Sequence, residues 1–173
     1  RMILFVGRLT PQKGVEYLIK ALPMILQRHP EAKLVIVGDG WMKDDLKRIA
    51  HSVGRSEKIY FTGFLPEWDL VRILLSADVL VVPSVYEPFG IVALEGMAAG
   101  VPVVASNVDG LSEVIHHGIN GILTYPADPR SIAWGVDRVL SDQNYAKYLV
   151  ENAKKEVSRK YSWDAIARET IKV

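Results

Sequence analysis

The sequence contains no cysteine, no long apolar run and no marked excess of either charge. The lack of cysteine excludes disulfide bonds and thiolate metal sites and is compatible with a reducing cytoplasm. The longest apolar runs, such as Met2–Val6, are far shorter than the roughly 20 residues that cross a bilayer. The net charge of +1, without runs of one sign, gives no electrostatic footprint for nucleic acid. We therefore predict a cytoplasmic protein with no membrane span and no nucleic-acid partner.

Common nucleotide-binding and nucleophile motifs are also missing. Lys13 and Gly14 do not have the Gly-x-x-x-x-Gly-Lys-Ser/Thr spacing of a P-loop. The pair Gly38-x-Gly40 is followed by Lys43 where a dinucleotide-binding motif has its third glycine. Without a Gly-x-Ser-x-Gly sequence or a cysteine, a serine or thiol nucleophile is not indicated.

Metal ligands do not cluster in the sequence. No Asp-x-Asp motif occurs, and the adjacent His116 and His117 precede Gly118 in what reads as the last turn of a helix. Neighbouring side chains on a helix point in different directions, so the two histidines would not share a metal ion. We predict no metal site.

What the chain does contain is an alternation of short apolar runs and helical patterns, which is typical of a parallel sheet covered on both faces. We predict one α/β domain with a Rossmann-like, doubly wound parallel sheet of about six strands in the order 3-2-1-4-5-6. Extra C-terminal helices are predicted after Asp128. The predicted strands are Met2–Val6, Leu34–Val37, Ile59–Phe61, Val79–Val82, Val101–Ala105 and Gly121–Thr124, and the final helices are about Ser131–Leu140, Tyr145–Lys160 and Trp163–Ile171.

Two cations follow the first predicted strand. Arg8 comes directly after Gly7, which permits a tight turn, and Lys13 stands just before the next helix. Arginine and lysine near a helix N-terminus form a site for phosphate. From their spacing alone, both could equally be solvated loop residues.

Two carboxylates follow the fourth predicted strand. Glu87 lies in the loop, and Glu95 lies eight positions later (95 − 87) among apolar residues of a helix. Carboxylates in nucleotide sites commonly accept hydrogen bonds from ribose hydroxyls. The alternatives are an acid/base pair of a glycosidase, or a Glu95 satisfied by a backbone or basic neighbour.

These residues fall into four motifs that occur together: Gly7-Arg8-Leu-x-x-x-Lys13-Gly14, Val35-Ile-Val-Gly38-Asp-Gly40, Phe61-Thr-Gly63 and Glu87-Pro-Phe-Gly-Ile-Val-Ala-Leu-Glu95. As a set they resemble the C-terminal, nucleotide-sugar-binding domain of retaining GT-B glycosyltransferases over essentially the whole chain. That group includes glycogen synthases, which we take as the preferred match, sucrose synthases and bacterial mannosyl- and glucosyltransferases. The spacing of the two glutamates is the specific signal.

The resemblance implies a role for each motif. Arg8 and Lys13 would hold the donor diphosphate and Glu87 would face the donor sugar, so that these three take part in catalysis. Glu95 would bind the ribose. Preorganised cations stabilise a departing diphosphate, so no metal or other cofactor would be needed. The remaining donor-site residues would be Gly7, Gly63, Leu65, Phe89, Gly90 and Ile91.

The resemblance also implies a hexosyltransferase of which residues 1–173 are one domain. The donor would be ADP-glucose or UDP-glucose, and a glucan acceptor would bind an N-terminal domain absent from this chain, which alone would be inactive. Asp109-Gly110 departs from the Gly-Gly pair of many relatives. A stand-alone nucleotide-binding module and a sugar-nucleotide epimerase remain open, whereas a glycosidase would not need Arg8 and Lys13.

Overall fold

The computed structural model describes residues 1–161, which form a single α/β unit. Within this range one parallel sheet has the strand order β3-β2-β1-β4-β5-β6. The Rossmann-like, doubly wound fold predicted from the sequence is therefore confirmed. The strands are β1 Met2–Val6, β2 Lys33–Val37, β3 Ile59–Gly63, β4 Val79–Val82, β5 Val103–Ser106 and β6 Ile122–Thr124.

Helices connect the strands and cover both faces of the sheet. No helix among residues 1–161 is both long and apolar enough to cross a membrane. The predicted helix over Trp163–Ile171 lies outside the described residues. The α-helices are α1 Val15–Arg28, α2 Lys43–Ser52, α3 Glu67–Leu75, α4 Ile91–Ala99, α5 Asp109–Val114, α6 Pro129–Ser141 and α7 Gln143–Glu156, and a π-helical turn follows at Val157–Tyr161.

The core consists of two layers because side chains alternate along each strand. In β1, Ile3 and Phe5 belong to the layer that packs under α1 and α6, whereas Leu4 belongs to the layer under α4. Strands buried on both faces account for the nearly continuous apolar runs in the sequence. The carboxyl ends of β1 and β4, which are neighbours, define the switch point where such sheets bind ligands.

Some predicted boundaries differ from the structure for identifiable reasons. Strand β5 begins at Val103, two residues later than predicted, because the amide of Val101 donates to the carbonyl of Gly96 and completes the last turn of α4. Helix α7 begins at Gln143 because the Asp142 carboxylate accepts a hydrogen bond from the third amide beyond it.

The two adjacent histidines are not in a helix, contrary to the prediction. Helix α5 ends at Val114, and Ile115 has an extended backbone. His116 then contacts the carboxylate of Glu156 at 3.1 Å, and the Nδ1 atom of His117 accepts a hydrogen bond from the amide of Leu123 at 3.0 Å. Each histidine therefore has its own partner.

Candidate functional site

The loops that follow β1 and β4 are in direct contact. The carbonyl of Gln12 accepts a hydrogen bond from the amide of Val85 at 2.8 Å. Gly14 has a φ of 63°, and a Cβ atom there would lie 2.0 Å from the carbonyl oxygen of Pro83. Only glycine allows this backbone conformation together with this approach. The glycine thus holds the first helix and the end of β4 close together.

Lys13 and Glu87 form an ion pair across the two loops. The Nζ atom of Lys13 donates to Oε2 of Glu87 at 2.5 Å, and Ser84 donates its hydroxyl to the same oxygen at 3.1 Å. Glu87 is only 8% exposed. A carboxylate this buried needs both a charge partner and a hydrogen bond, and the site supplies both. The structure therefore brings together two of the residues predicted to be catalytic, while Arg8 lies exposed on the same loop as Lys13.

The backbone of Glu87 is fixed by the first residues of α5. Its carbonyl accepts from the amide of Gly110 at 3.0 Å, and its amide donates to a carboxylate oxygen of Asp109 at 3.4 Å. Asp109 has a φ of 35°, which aspartate tolerates better than most residues. A Cβ atom on Gly110 would lie 2.3 Å from the carbonyl oxygen of Pro88. The Asp109-Gly110 pair thus positions the Glu87 loop by close contact.

Helix α4 begins directly after the Glu87 loop, and no side chain caps its N-terminus. Gly90 precedes the helix with a φ of 66°, no side chain caps the first turn, and the first turn carries no acidic residue. By contrast, Asp128 and Asp142 cap α6 and α7. Free amides and the helix dipole make an uncapped N-terminus a site for anions. In the described part of the chain, the side chain of Arg8 has no hydrogen bond or ion pair that would compete for such an anion.

Glu95 lies one turn into α4 and is exposed. No hydrogen bond or ion pair to its carboxylate occurs within residues 1–161, so the alternative in which a neighbour satisfies it finds no support there. Although the residue as a whole is exposed, desolvation of its carboxyl group by the surrounding protein raises the pKa of Glu95 above its usual range. A carboxylate in this state gains from an added hydrogen-bond donor.

Close glycine contacts link the β3 loop to the β1 loop. The amide of Gly38 donates to the carbonyl of Gly63 at 2.9 Å, and a Cβ atom on Gly38 would lie 1.9 Å from the carbonyl oxygen of Gly7. Leu65 follows in the loop and is half-buried. Gly38-x-Gly40 therefore serves close packing of loops.

Phe89 and Ile91 are exposed on either side of Gly90, at the start of α4. Sequence reasoning missed Ser84, whose only signal was a hydroxyl three positions before Glu87. Within residues 1–161 no three or more histidine, aspartate or glutamate side chains are grouped to hold a metal ion. The arrangement offers cations, an uncapped helix and an open carboxylate around one sheet edge.

Comparison with known proteins identifies the family. A sequence model of the glycosyl transferases group 1 family matches residues 1–156. The chain belongs to this family. An uncharacterized glycosyltransferase of Methanocaldococcus jannaschii is 61% identical over 173 residues, covering 100% of this chain and 44% of that protein. A glycogen synthase of Mycobacterium tuberculosis is 38% identical over 175 residues, covering 99% and 41%. The chain thus spans less than half the length of these curated relatives.

Solved structures of the same architecture support the fold. Anabaena HepE in complex with UDP-glucose has a TM-score of 0.89 and 28% identity, over 99% of this chain and 47% of that one. The C-terminal domain of a group 1 glycosyltransferase, LpcC, from Francisella tularensis has a TM-score of 0.86 and 27% identity, over 94% and 86%. The predicted identity as the C-terminal domain of a GT-B glycosyltransferase is confirmed.

Proposed function

We propose that this chain is the donor-binding domain of a retaining hexosyltransferase that uses a nucleoside diphosphate sugar and no metal ion. The observation that carries the proposal is the Lys13–Glu87 ion pair, at 2.5 Å, beside the uncapped N-terminus of α4. A cation and free amides that converge on one place form a site for a diphosphate. The fold sets this place at the switch point of the sheet, where such folds bind nucleotides.

The chemistry follows from where charge develops. When the bond from the sugar to the diphosphate breaks, negative charge accumulates on the departing phosphate oxygens. Arg8, Lys13 and the amides after Gly90 would stabilise that charge more strongly in the transition state than in the bound donor. Glu87 would hold Lys13 in position until the diphosphate binds and would then present its carboxylate toward the sugar. Glu95 would accept hydrogen bonds from the ribose.

We take UDP-glucose or ADP-glucose as the donor and an α-glucan as the acceptor, bound by a second domain. HepE binds UDP-glucose, and the relative from Mycobacterium tuberculosis is a glycogen synthase. Another retaining hexosyltransferase is the second candidate, favoured by sucrose-phosphate synthase from Thermosynechococcus elongatus, which has 32% identity and a TM-score of 0.87. Both candidates share the donor site proposed here and a cytoplasmic location.

Calorimetric titration of the 173-residue chain with UDP-glucose, ADP-glucose, GDP-mannose and NAD tests the proposal. One of the nucleotide sugars should bind, and Lys13→Ala should weaken that binding about tenfold or more, the change that 1.4 kcal/mol produces. Lys20→Ala is a matched control, since Lys20 forms an exposed pair with Glu16 on α1. Binding of NAD alone, or of none of the four, contradicts the proposal.

A further inference from the structure

A concave site lies at the same edge of the sheet, at the carboxyl ends of β5 and β6. Its volume is about 560 Å³, which is within the range of small-molecule sites. None of the residues proposed to bind the donor lines it. The walls come from the end of β5, the loop before β6, β6 itself, the loop after it and the first turns of α6. They include Asn107, His117, Leu123, Tyr125, Arg130 and Trp134.

Aromatic faces form one wall of this pocket. The rings of His117 and Trp134 stack with their centroids 6.1 Å apart and an interplanar angle of 22°. Trp134 is 48% exposed and Tyr125 is 73% exposed, although both line a concavity. The face of an aromatic ring carries partial negative charge and attracts polarised C–H groups. Such a wall suits a ligand ring whose faces carry C–H groups, as the faces of a sugar ring do.

Polar groups on the rim supply donors and acceptors of both charge signs. His117 accepts from the Leu123 amide through Nδ1, which leaves the N–H of the neutral ring at Nε2 as a donor. Asn107 and Arg130 have side chains without a hydrogen bond in the described part of the chain. Asp128 accepts from the amides of Arg130 and Ser131, so this helix N-terminus already holds a carboxylate and disfavours a second anion. The lining therefore suits a neutral, hydroxyl-rich ligand.

The order of loops along the sheet edge indicates what that ligand does. Leu65, one of the proposed donor-site residues, follows β3, the cations follow β1, and Glu87 follows β4. The pocket is next in line, about 10 Å beyond β4 at roughly 4.8 Å per strand. The reacting carbon of the donor sugar is bonded to the diphosphate, so a donor laid along this edge would keep that carbon near Lys13 and Glu87 and turn the far end of its sugar toward the pocket. The pocket would therefore hold sugar units of the acceptor that lie away from the reacting carbon.

We propose that this pocket binds a neutral oligosaccharide and serves as a subsite for sugar units of the acceptor that are remote from its attacking hydroxyl. The inference rests on the proposed function for its acceptor role and on the pocket's own lining for saccharide binding. The acceptor is then shared between the two domains of the full-length enzyme. Stacking on Trp134 holds a sugar ring, and Asn107, Arg130 and the Nε2–H of His117 bind its hydroxyls.

Nuclear magnetic resonance titration of the 173-residue chain tests the inference, with maltotriose and mannotriose as separate probes. At least one probe should shift the indole N–H signal of Trp134 and the amide signals of Leu123 and Tyr125. Trp134→Ala should weaken binding about tenfold, the fold-change of 1.4 kcal/mol, whereas Trp134→Phe should retain most of it. Trp68→Ala removes an 81% exposed tryptophan on α3 and should leave the affinity unchanged.

A parallel titration with UDP-glucose separates this inference from the proposed function. If UDP-glucose binds equally to the wild type and to Trp134→Ala, the donor site is distinct from the pocket, as expected. The inference is overturned if neither oligosaccharide shifts the pocket signals, or if the shifts persist unchanged in a folded Trp134→Ala variant. If an oligosaccharide binds at Trp134 but no nucleotide sugar binds anywhere, the proposed function fails, and the acceptor role fails with it.

Discussion

Replacing Lys13 with methionine tests whether the Lys13–Glu87 contact serves a ligand as well as the fold. The side chain of Lys13 is 21% exposed and that of Glu87 is 10% exposed, and the atoms Nζ and Oε2 are 2.5 Å apart. Methionine keeps an unbranched side chain and removes the charge. Glu87 would then keep a single side-chain donor, the hydroxyl of Ser84 at 3.1 Å. The variant therefore leaves a mostly buried carboxylate without its counter-charge.

The burial of the pair sets the expected magnitude. Breaking a fully buried ion pair costs about 3–5 kcal/mol, and an exposed pair contributes only about 0.2–1 kcal/mol. For this partly buried pair we expect Lys13→Met to lower the free energy of unfolding by about 1–3 kcal/mol. Changing Glu87 to glutamine as well removes both charges, so the double variant should recover most of that loss.

Donor affinity should follow a different course. Both variants lack the lysine that we propose contacts the diphosphate. A charge-assisted bond of this kind is worth about 1.5–3 kcal/mol, so UDP-glucose should bind roughly 10- to 150-fold more weakly to each variant. Urea denaturation and calorimetry measure the two quantities. Lys20→Met, at an exposed pair with Glu16, is the control and should change each by less than about 0.5 kcal/mol. If the double variant regains stability and binds UDP-glucose as the wild type does, Lys13 has a structural role only, and the reasoning is refuted.

Three further substitutions test the proposed ribose contact, the contact between the two loops and one source of acid sensitivity. Glu95→Gln should weaken UDP-glucose binding about tenfold without lowering stability. Desolvation of the carboxyl group raises the pKa of Glu95. As the pH is lowered, the wild-type affinity for UDP-glucose, measured by calorimetry, should therefore begin to fall at a higher pH than it would with a glutamate of ordinary pKa. Gly14→Ala places a Cβ atom 2.0 Å from the Pro83 carbonyl oxygen and should cost more than about 2 kcal/mol in urea denaturation. Burial alone would raise the pKa of Asp137. The hydrogen bonds from His29 and Ser141 and the nearby Arg28 outweigh this effect, so the pKa is lowered overall. Asp137 therefore stabilises the fold above its unfolded-state pKa, and this contribution is lost as the pH falls through the folded-state pKa. Asp137→Asn should remove that part of the acid dependence of stability, and an unchanged dependence would contradict the assignment.

The sheet could be predicted from the sequence because its signal is local. Each strand is a short apolar run bounded by glycine, proline or polar residues, and the handedness of parallel crossovers leaves few strand orders. That order makes β1 and β4 neighbours, so the loops of Lys13 and Glu87, which the resemblance assigns to one donor site, lie next to each other although 74 positions separate the two residues. Sequence spacing does not show that they touch, since that depends on the contact between Gly14 and Pro83.

Other parts of the molecule had no such signal. Where α5 ends decides the environment of His116 and His117. The side chain of Asn120 closes that end, because it donates to the Val114 carbonyl and accepts from the His116 amide. The pocket beyond β6 is assembled from residues between Asn107 and Trp134 that form no motif. Three-dimensional packing alone brings them together, so periodicity and spacing could not reveal the pocket.

The most direct test of the proposed donor site is the footprint of UDP-glucose on the backbone amides of the chain. Nuclear magnetic resonance signals of Gly14, Gly90 and Ile91 should shift together on addition of UDP-glucose if the β1 loop and the N-terminus of α4 form one donor site. The side-chain variant Glu95→Gln should reduce the affinity and keep the footprint. Shifts confined to other parts of the chain, with these three amides unchanged at saturating UDP-glucose, would contradict a donor site formed by the β1 loop and the start of α4.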